Sequence, residues 1–312
     1  RALFNVTDFN AVKTAGITGN RYYYSFQPAV GITANDGSKT YGNTLNLLTG
    51  GPAVTINTGN FVQVPLGNPF LQDTTANALD LTGVTTSSVG AAGGANVGSY
   101  PIVPIGATSN NGYAFNYLNG ELTVNQRVVT LTASQQNKQY GDVLNLDDTA
   151  FTVADLGNTA DTTLPNGNVV DTVALNSQNG VDASVTGDAQ TYTDEIEITG
   201  QAGSGGFLAS NYDFTYVDAE LVVDPRNVTV TASQQDKFYG DVLDLTSNAS
   251  QTAFTVLDNG LTNGGDTILP NGESIETVSL QSVLPVDVAA STTENVDVYL
   301  DELFITGVVG SG

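Results

Sequence analysis

Apolar and polar residues alternate with a period of two along most of this chain. Val129, Leu131 and Ala133 fall on one side of such an alternation, and Val128, Thr130 and Thr132 on the other. That period sends successive side chains to opposite faces of a strand. It recurs in Val30 and Ile32, in Val173 and Leu175, and in Ile196 and Ile198, where it predicts that Glu195 and Glu197 face outward. Aromatic residues alternate in Tyr22, Tyr24 and Phe26, in Tyr113, Phe115 and Tyr117, and in Tyr212, Phe214 and Tyr216. Phe4-Asn5-Val6-Thr7 reads as another short strand, and Gly90-Ala91-Ala92-Gly93-Gly94-Ala95 as a loop. Asn119-Gly120 reads as the turn of a hairpin ending near Val124. Helical periodicity is absent apart from a short turn expected around Gly260 to Thr267. Short strands with frequent turn signals predict an all-β chain of Ig-like β-sandwich units.

The strands are organised by a repeat. Lys138-Gln139-Tyr140-Gly141-Asp142 returns as Lys237-Phe238-Tyr239-Gly240-Asp241, with a weaker copy in Lys39-Thr40-Tyr41-Gly42-Asn43. The Tyr-Gly pairs begin at 41, 140 and 239, each 99 residues after the last, which makes a tandem array. The units are 28–125, 126–224 and 225–312, preceded by 1–27, which resembles the terminal strands of another unit. Val228, Val230 and Ala232 repeat the first strand, and Leu303 and Ile305 repeat Ile196 and Ile198. The step from Ile198 to Ile305 exceeds the 99-residue repeat by about eight residues, an insertion assigned to Leu284–Thr293. The third unit lacks the closing strands of the other two. The links Asn125-Gln126-Arg127 and Asp224-Pro225-Arg226-Asn227 are short, so a stiff rod is expected.

Composition narrows the function. The formal net charge is −24 with eight Lys plus Arg. Nucleic acid and anionic membranes both need a basic footprint that this chain lacks. No apolar run reaches the ~18 residues of a membrane-spanning helix. Cys, His, Met and Trp are all absent. This fits a secreted bacterial surface protein and removes the common nucleophile–base pairs. The sequence opens at Arg1 without a signal peptide, as a mature chain or a piece of a longer one would.

The Tyr-Gly motifs, Asn259-Gly260-Leu261-Thr262-Asn263-Gly264-Gly265-Asp266-Thr267, Val97-Gly98-Ser99-Tyr100-Pro101-Ile102 and the closing Asn211-Tyr212 with Tyr216 and Leu221 together resemble the MBG family in its Tyr-Gly form. These are glycine-rich repeats of large secreted bacterial adhesins. The resemblance implies an extracellular, non-catalytic stalk or adhesive segment, and it carries no binding residue with it. Asn43 departs from the usual Asp of the motif.

Candidate chemistry is sparse. The acid pairs Asp147-Asp148, Asp194-Glu195 and Asp301-Glu302 sit on adjacent residues, which point to opposite faces of a strand and cannot flank a scissile bond. No enzyme is expected. Calcium takes six to eight oxygens; its candidate ligands are Asp142, Asp241, Asp224 and Glu220, near the predicted junctions. The alternative is turn acids, with Asp142 and Asp241 accepting turn amides. Lys39, Lys138 and Lys237 stand at the repeat spacing. They are read either as buried partners of an isopeptide crosslink to Asn or Asp, or as salt-bridged or exposed strand ends, the polar neighbours favouring exposure. Tyr212, Phe214 and Tyr216 are read as core ahead of a sugar-stacking face. Phe304 is expected to point outward.

The two ends complement each other. Tyr22, Tyr24 and Phe26 are candidate donor-strand residues, and Leu303, Phe304 and Ile305 a candidate acceptor edge. Either the sequence is a window of a longer array, or one copy completes the next, head to tail. The expected function is a structural subunit of an extracellular filament or surface stalk that associates with itself. The alternative is an adhesin segment binding a surface glycan, with or without calcium.

Overall fold

The computed structural model of the protein describes residues 2–3, 6–7, 22–23, 25–48, 53–61, 73–155, 164–258, 261–262, 269, 271–282, 289–295, 297–300 and 303–311. The fold is all-β. Strands of three or more residues are numbered along the chain. The first repeat holds β1 (Ala29–Ala34), β2 (Gly37–Thr40), β3 (Val54–Asn57), β4 (Thr85–Ser87), β5 (Gly98–Ile105), β6 (Ala114–Leu118) and β7 (Gly120–Asn125). The second holds β8 (Arg127–Ala133), β9 (Gln136–Gln139), β10 (Phe151–Asp155), β11 (Val169–Ser177), β12 (Thr191–Ser204), β13 (Tyr212–Val217) and β14 (Ala219–Asp224). The third holds β15 (Val228–Ala232), β16 (Phe254–Asp258), β17 (Ser274–Ser282) and β18 (Leu303–Ser311). Of the helical turn expected near 260–267 only Leu261–Thr262 is described, and it is a strand. Phe4 and Asn5 of the expected first strand lie outside the described residues, Val6 and Thr7 are not in a strand, and half of the insertion at Leu284–Thr293 lies outside them.

The first two repeats share one topology. In the first, the sheets are β6-β1-β3 and β2-β7-β5-β4; in the second, β10-β8-β13 and β9-β14-β12-β11. The closing pair is therefore not the hairpin that Asn119-Gly120 predicts. β6 runs parallel to β1, while β7 lies between β2, to which it is parallel, and β5, to which it is antiparallel. The single residue Asn119 separates β6 from β7. The chain uses it to step from one sheet to the other, and a Cβ on Gly120 would stand 2.5 Å from the Ala34 carbonyl. β9 and β14 repeat the parallel pairing of β2 and β7.

Compactness divides the chain into two units that cross the repeat borders. The first comprises residues 1–131, 152–171 and 202–215. In it Ala34 of β1 packs with Ile102 of β5 and Leu122 of β7, so the two sheets of the first repeat share a core. A second cluster gathers Val30, Phe61, Ala78, Leu79 and Tyr113. Each Val, Leu, Ile or Phe among them, fully removed from water, contributes on the order of 1.5–3 kcal/mol.

The second unit comprises residues 132–151, 172–201 and 216–312. Here the alternation fails in β12. The pairing of β12 with β14 shifts register between Tyr192 and Ile196, and Asp194 takes a positive φ of 53°. The bulge turns Glu195 inward, where it is fully buried, contrary to the outward position that alternation predicts. An inserted residue re-aims the side chains that follow it.

The third repeat lacks the counterparts of β13 and β14 among the described residues. Three consequences follow from that one difference. Val228, Val230 and Ala232 are half-buried, whereas Val129, Leu131 and Ala133 are buried at the same positions of the second repeat. Residues 235–238, equivalent to β9, form no strand, because the strand that pairs with β9 has no counterpart beside them. β18 pairs with β17 on one edge only. A groove of about 710 Å³ remains, lined by Phe238, Tyr239, Leu243, Val298, Leu300 and Leu303 among others.

Candidate functional site

The residues that recur with the most specific geometry lie where one repeat meets the next. The Tyr-Gly motif makes a tight turn after β2. Gly42 has φ +88°, a left-handed conformation that favours glycine, and the Asn43 amide donates to the Thr40 carbonyl at 3.1 Å. The Tyr41 amide donates to the carbonyl of Asn125, the last residue of β7. The turn is thereby pinned beside the start of the following repeat, two residues before Arg127.

Arg127 closes that junction. Its Nε and Nη2 donate to the two Asp155 carboxylate oxygens at 2.5 and 2.8 Å, and its Nη1 donates back to the Tyr41 carbonyl at 3.3 Å and to Asn43 Oδ1 at 3.5 Å. The planar guanidinium suits this forked arrangement. The Tyr41 hydroxyl donates to Asn168 Oδ1 at 3.1 Å, which also accepts from Tyr212 at 2.7 Å. The Tyr41 and Tyr212 rings meet edge to face at 5.4 Å. Asn168 ends a Leu-Pro-Asn-Gly-Asn turn, and a Cβ on Gly42 would strike Pro165 of that turn at 2.5 Å. Burial, and then the neighbouring Tyr41, push the Tyr212 phenol well above its ordinary range.

The second junction repeats the first. The Tyr140 amide donates to the Asp224 carbonyl at 2.9 Å. Arg226 grips Asp258 with Nε at 2.5 Å and Nη2 at 2.7 Å, and its Nη1 reaches the Tyr140 carbonyl at 3.2 Å and Asp142 Oδ1 at 2.7 Å. The Tyr140 hydroxyl donates to Glu273 Oε1 at 2.7 Å. Glu273 ends the Leu-Pro-Asn-Gly-Glu turn and so replaces Asn168. The hydrogen bonds to Asp258 hold Arg226 above its ordinary value despite its burial. Junction one thus uses neutral Asn43 and Asn168 where junction two uses the carboxylates Asp142 and Glu273. The Asn43 departure from the motif converts a 2.7 Å ion pair into a 3.5 Å neutral contact. Such an arrangement ties the Tyr-Gly turn of one repeat to the start of the next.

Of the sequence candidates, Asp142 belongs to this clasp. The Asp224 carbonyl supports it, while its side chain, Glu220 and Asp241 are exposed. Among the described residues no three acidic side chains converge as metal ligands, so these four do not make one site. Tyr22 lies in a two-residue strand (Tyr22–Tyr23) that runs parallel to Ala2–Leu3, Phe26 is exposed, and Tyr24 lies outside the described residues. Leu303, Phe304 and Ile305 open β18, paired with Ser282, Gln281 and Leu280; Phe304 is 50% exposed. Tyr212 is buried and stacks with Phe207, Phe214 lies against both, and Tyr216 is exposed. Lys39 and Lys138 are buried, contrary to the exposure that their polar neighbours suggest. Their ammonium groups face main-chain carbonyls, which satisfy them without a carboxylate contact.

Arg127 and Arg226 do not stand out by type, yet they too are 99 residues apart. The Leu-Pro-Asn-Gly turns at 164 and 269 were a second readable signal.

The fold is all-β, and the Tyr-Gly turns at Tyr41 and Tyr140 are each clasped by the arginine that follows the next border, Arg127 or Arg226. Residues 30–123 match the family described as the MBG domain (YGX type). In that span the Tyr-Gly-X triplet is Tyr41-Gly42-Asn43. MBG domains are typical of secreted surface proteins, and the match marks an adhesin-like or repeat surface-protein segment. A comparison with curated proteins finds no match. Among the described residues no helix is long and apolar enough to cross a membrane.

Proposed function

We propose that the chain is part of the shaft of an extracellular filament or surface stalk, a stiff, non-catalytic rod of tandem Ig-like β-sandwich units whose contacts are with further units of its own kind. The recurrence of one clasp at both junctions supports this reading most. A hinge between freely moving domains has no need of a bidentate Arg–Asp pair and a tyrosine hydroxyl bond, each built at both junctions.

The third repeat carries the array onward by accepting two closing strands, one beside β15 and one between residues 235–238 and β18. The pattern of β7 and β14 fits the second slot, with Leu122 and Val124, or Leu221 and Val223, buried at alternate positions. The donor is either more of the same polypeptide or, head to tail, the strands around Tyr22, Tyr24 and Phe26 of another copy.

Small-angle X-ray scattering of the purified chain tests the stalk. A long, thin particle is expected, and a compact one would end the reading. Light scattering of the chain and of a version lacking residues 1–27 separates the donors. Long oligomers lost on shortening mark head-to-tail donation. Monomers in both cases retire it and leave completion within one polypeptide.

A further inference from the structure

Lys39, Lys138 and Lys237 share a feature that the clasp does not use: each ends among main-chain carbonyl oxygens. Around Lys138 Nζ stand the carbonyls of Asp142 at 3.2 Å, Asp182 at 3.3 Å, Ser184 at 2.5 Å, and Val181. The first belongs to the Tyr-Gly-Asp turn and the rest to the loop between β11 and β12. That loop bends through Gly180, φ 67°, and the Ser184 amide turns back onto the Gly180 carbonyl, which leaves the later carbonyls facing inward. Lys39 meets Asn43 and Ala92 in the same way. Lys237 meets Ala289 at 3.3 Å and Ser291 at 2.5 Å.

An ammonium has three protons to give and accepts none. Several of these oxygens already accept one amide proton, Asp182 from Leu144, Ala92 from Ala95 and Ala289 from Leu243, and their second lone pairs converge on the lysine, where a cation is the fitting partner. A metal ion bound by carbonyls fits in the same way. Here the chain supplies the charge itself, tethered to the strand beside the motif.

We propose that this lysine is the built-in structural cation of each repeat, filling a carbonyl cage that, once the side chain is shortened, binds a free monovalent cation of the ammonium type. The lysine ties the Tyr-Gly turn to a loop some forty or more residues away, as Lys138 does to Val181 and Ser184. The cage exists whether or not the chain forms a stalk. If it does, the clasp at Tyr140 keeps its shape without calcium.

The test uses the full chain with Lys138→Ala and Lys138→Met. Both variants are expected to melt about 5 °C or more below the unaltered chain. Ammonium chloride should restore at least half of the loss in the alanine variant. It should restore little in the methionine variant, whose side chain occupies the cage. Tetramethylammonium at equal ionic strength, too bulky to enter, should restore none, and a chelator should leave the unaltered chain unmoved. If Lys138→Ala fails to fold, the same pair at Lys39 carries the test. Absence of any loss, equal recovery with both ammonium ions, or a chelator-sensitive transition in the unaltered chain overturns the proposal. None of these results bears on the scattering shape.

Discussion

Arg226 Nη1 lies 2.7 Å from Asp142 Oδ1, so a residue at the start of the third repeat is held by the Tyr-Gly-Asp turn of the second. The same guanidinium grips Asp258, whose side chain is 6% exposed, while that of Asp142 is 46% exposed. The two halves of the clasp therefore differ in worth. Arg226→Met strands the Asp258 carboxylate in a poorly hydrated place and should cost about 3 kcal/mol in denaturant unfolding. Asp142→Asn removes only the exposed partner and turns junction two into the form of junction one, where Asn43 stands. Its cost should stay below about 1 kcal/mol and shrink with added salt. Equal costs would mean that the clasp is not organised around Asp258.

Gly42 and Gly240 offer a matched pair. Both have positive φ, +88° and +94°, so alanine at either position strains the backbone by about 1–2 kcal/mol. At Gly42 the added Cβ also meets Pro165 at 2.5 Å, whereas at Gly240 it meets nothing within 4 Å. Gly42→Ala should therefore destabilise the chain by about 1–3 kcal/mol more than Gly240→Ala. That excess measures the docking of the turn against the next repeat. Identical losses would assign the glycine to the turn alone.

Much of this architecture was legible in the sequence. Period-two alternation marks Val129, Leu131 and Ala133 as core because burial of one strand face leaves a one-dimensional trace. The Tyr-Gly spacing marks the repeats for the same reason. What alternation cannot reveal is a bulge: the register shift before Ile196 buries Glu195, and only the positive φ of Asp194 betrays it. Spacing alone could find Lys138, but its partners are carbonyls, which every residue carries and no sequence distinguishes. Asn119-Gly120 has the composition of a hairpin turn, yet β6 and β7 find better partners in separate sheets.

The two tyrosine contacts should separate by the charge of their acceptor. The Tyr140 hydroxyl donates to the Glu273 carboxylate, a bond that raises the phenol above its ordinary value. The Tyr41 hydroxyl donates to an Asn168 oxygen that keeps a second donor in Tyr212. Tyr140→Phe should cost about 1.5–2 kcal/mol and Tyr41→Phe about 0.5–1 kcal/mol. Double-mutant cycles with Glu273→Gln and Asn168→Ala would show whether each loss belongs to the pair. A coupling near zero at Glu273 would remove that bond from the clasp.

Glu195 should make the chain sensitive to acid. Burial pushes its carboxyl up, but hydrogen bonds from Ser177, from the Asn179 side chain and amide, and from the Val181 amide together outweigh burial and leave it below its ordinary value. The unfolded chain therefore holds this proton more tightly than the folded one, and stability rises with pH across the interval between the two values. The contribution is complete above the ordinary value of 4.5 and is lost as pH falls through the lower folded value. Exposed Asp80, Asp147 and Asp244 are also lowered, each by Thr82, Thr149 or Thr246, so the unaltered chain carries a background of the same sign. Glu195→Gln keeps that background and removes the buried charge. The variant should unfold at lower denaturant than the parent at pH 7, and the gap should narrow as pH falls below about 4.5. A gap that stays constant with pH would show that Glu195 contributes by shape rather than by charge.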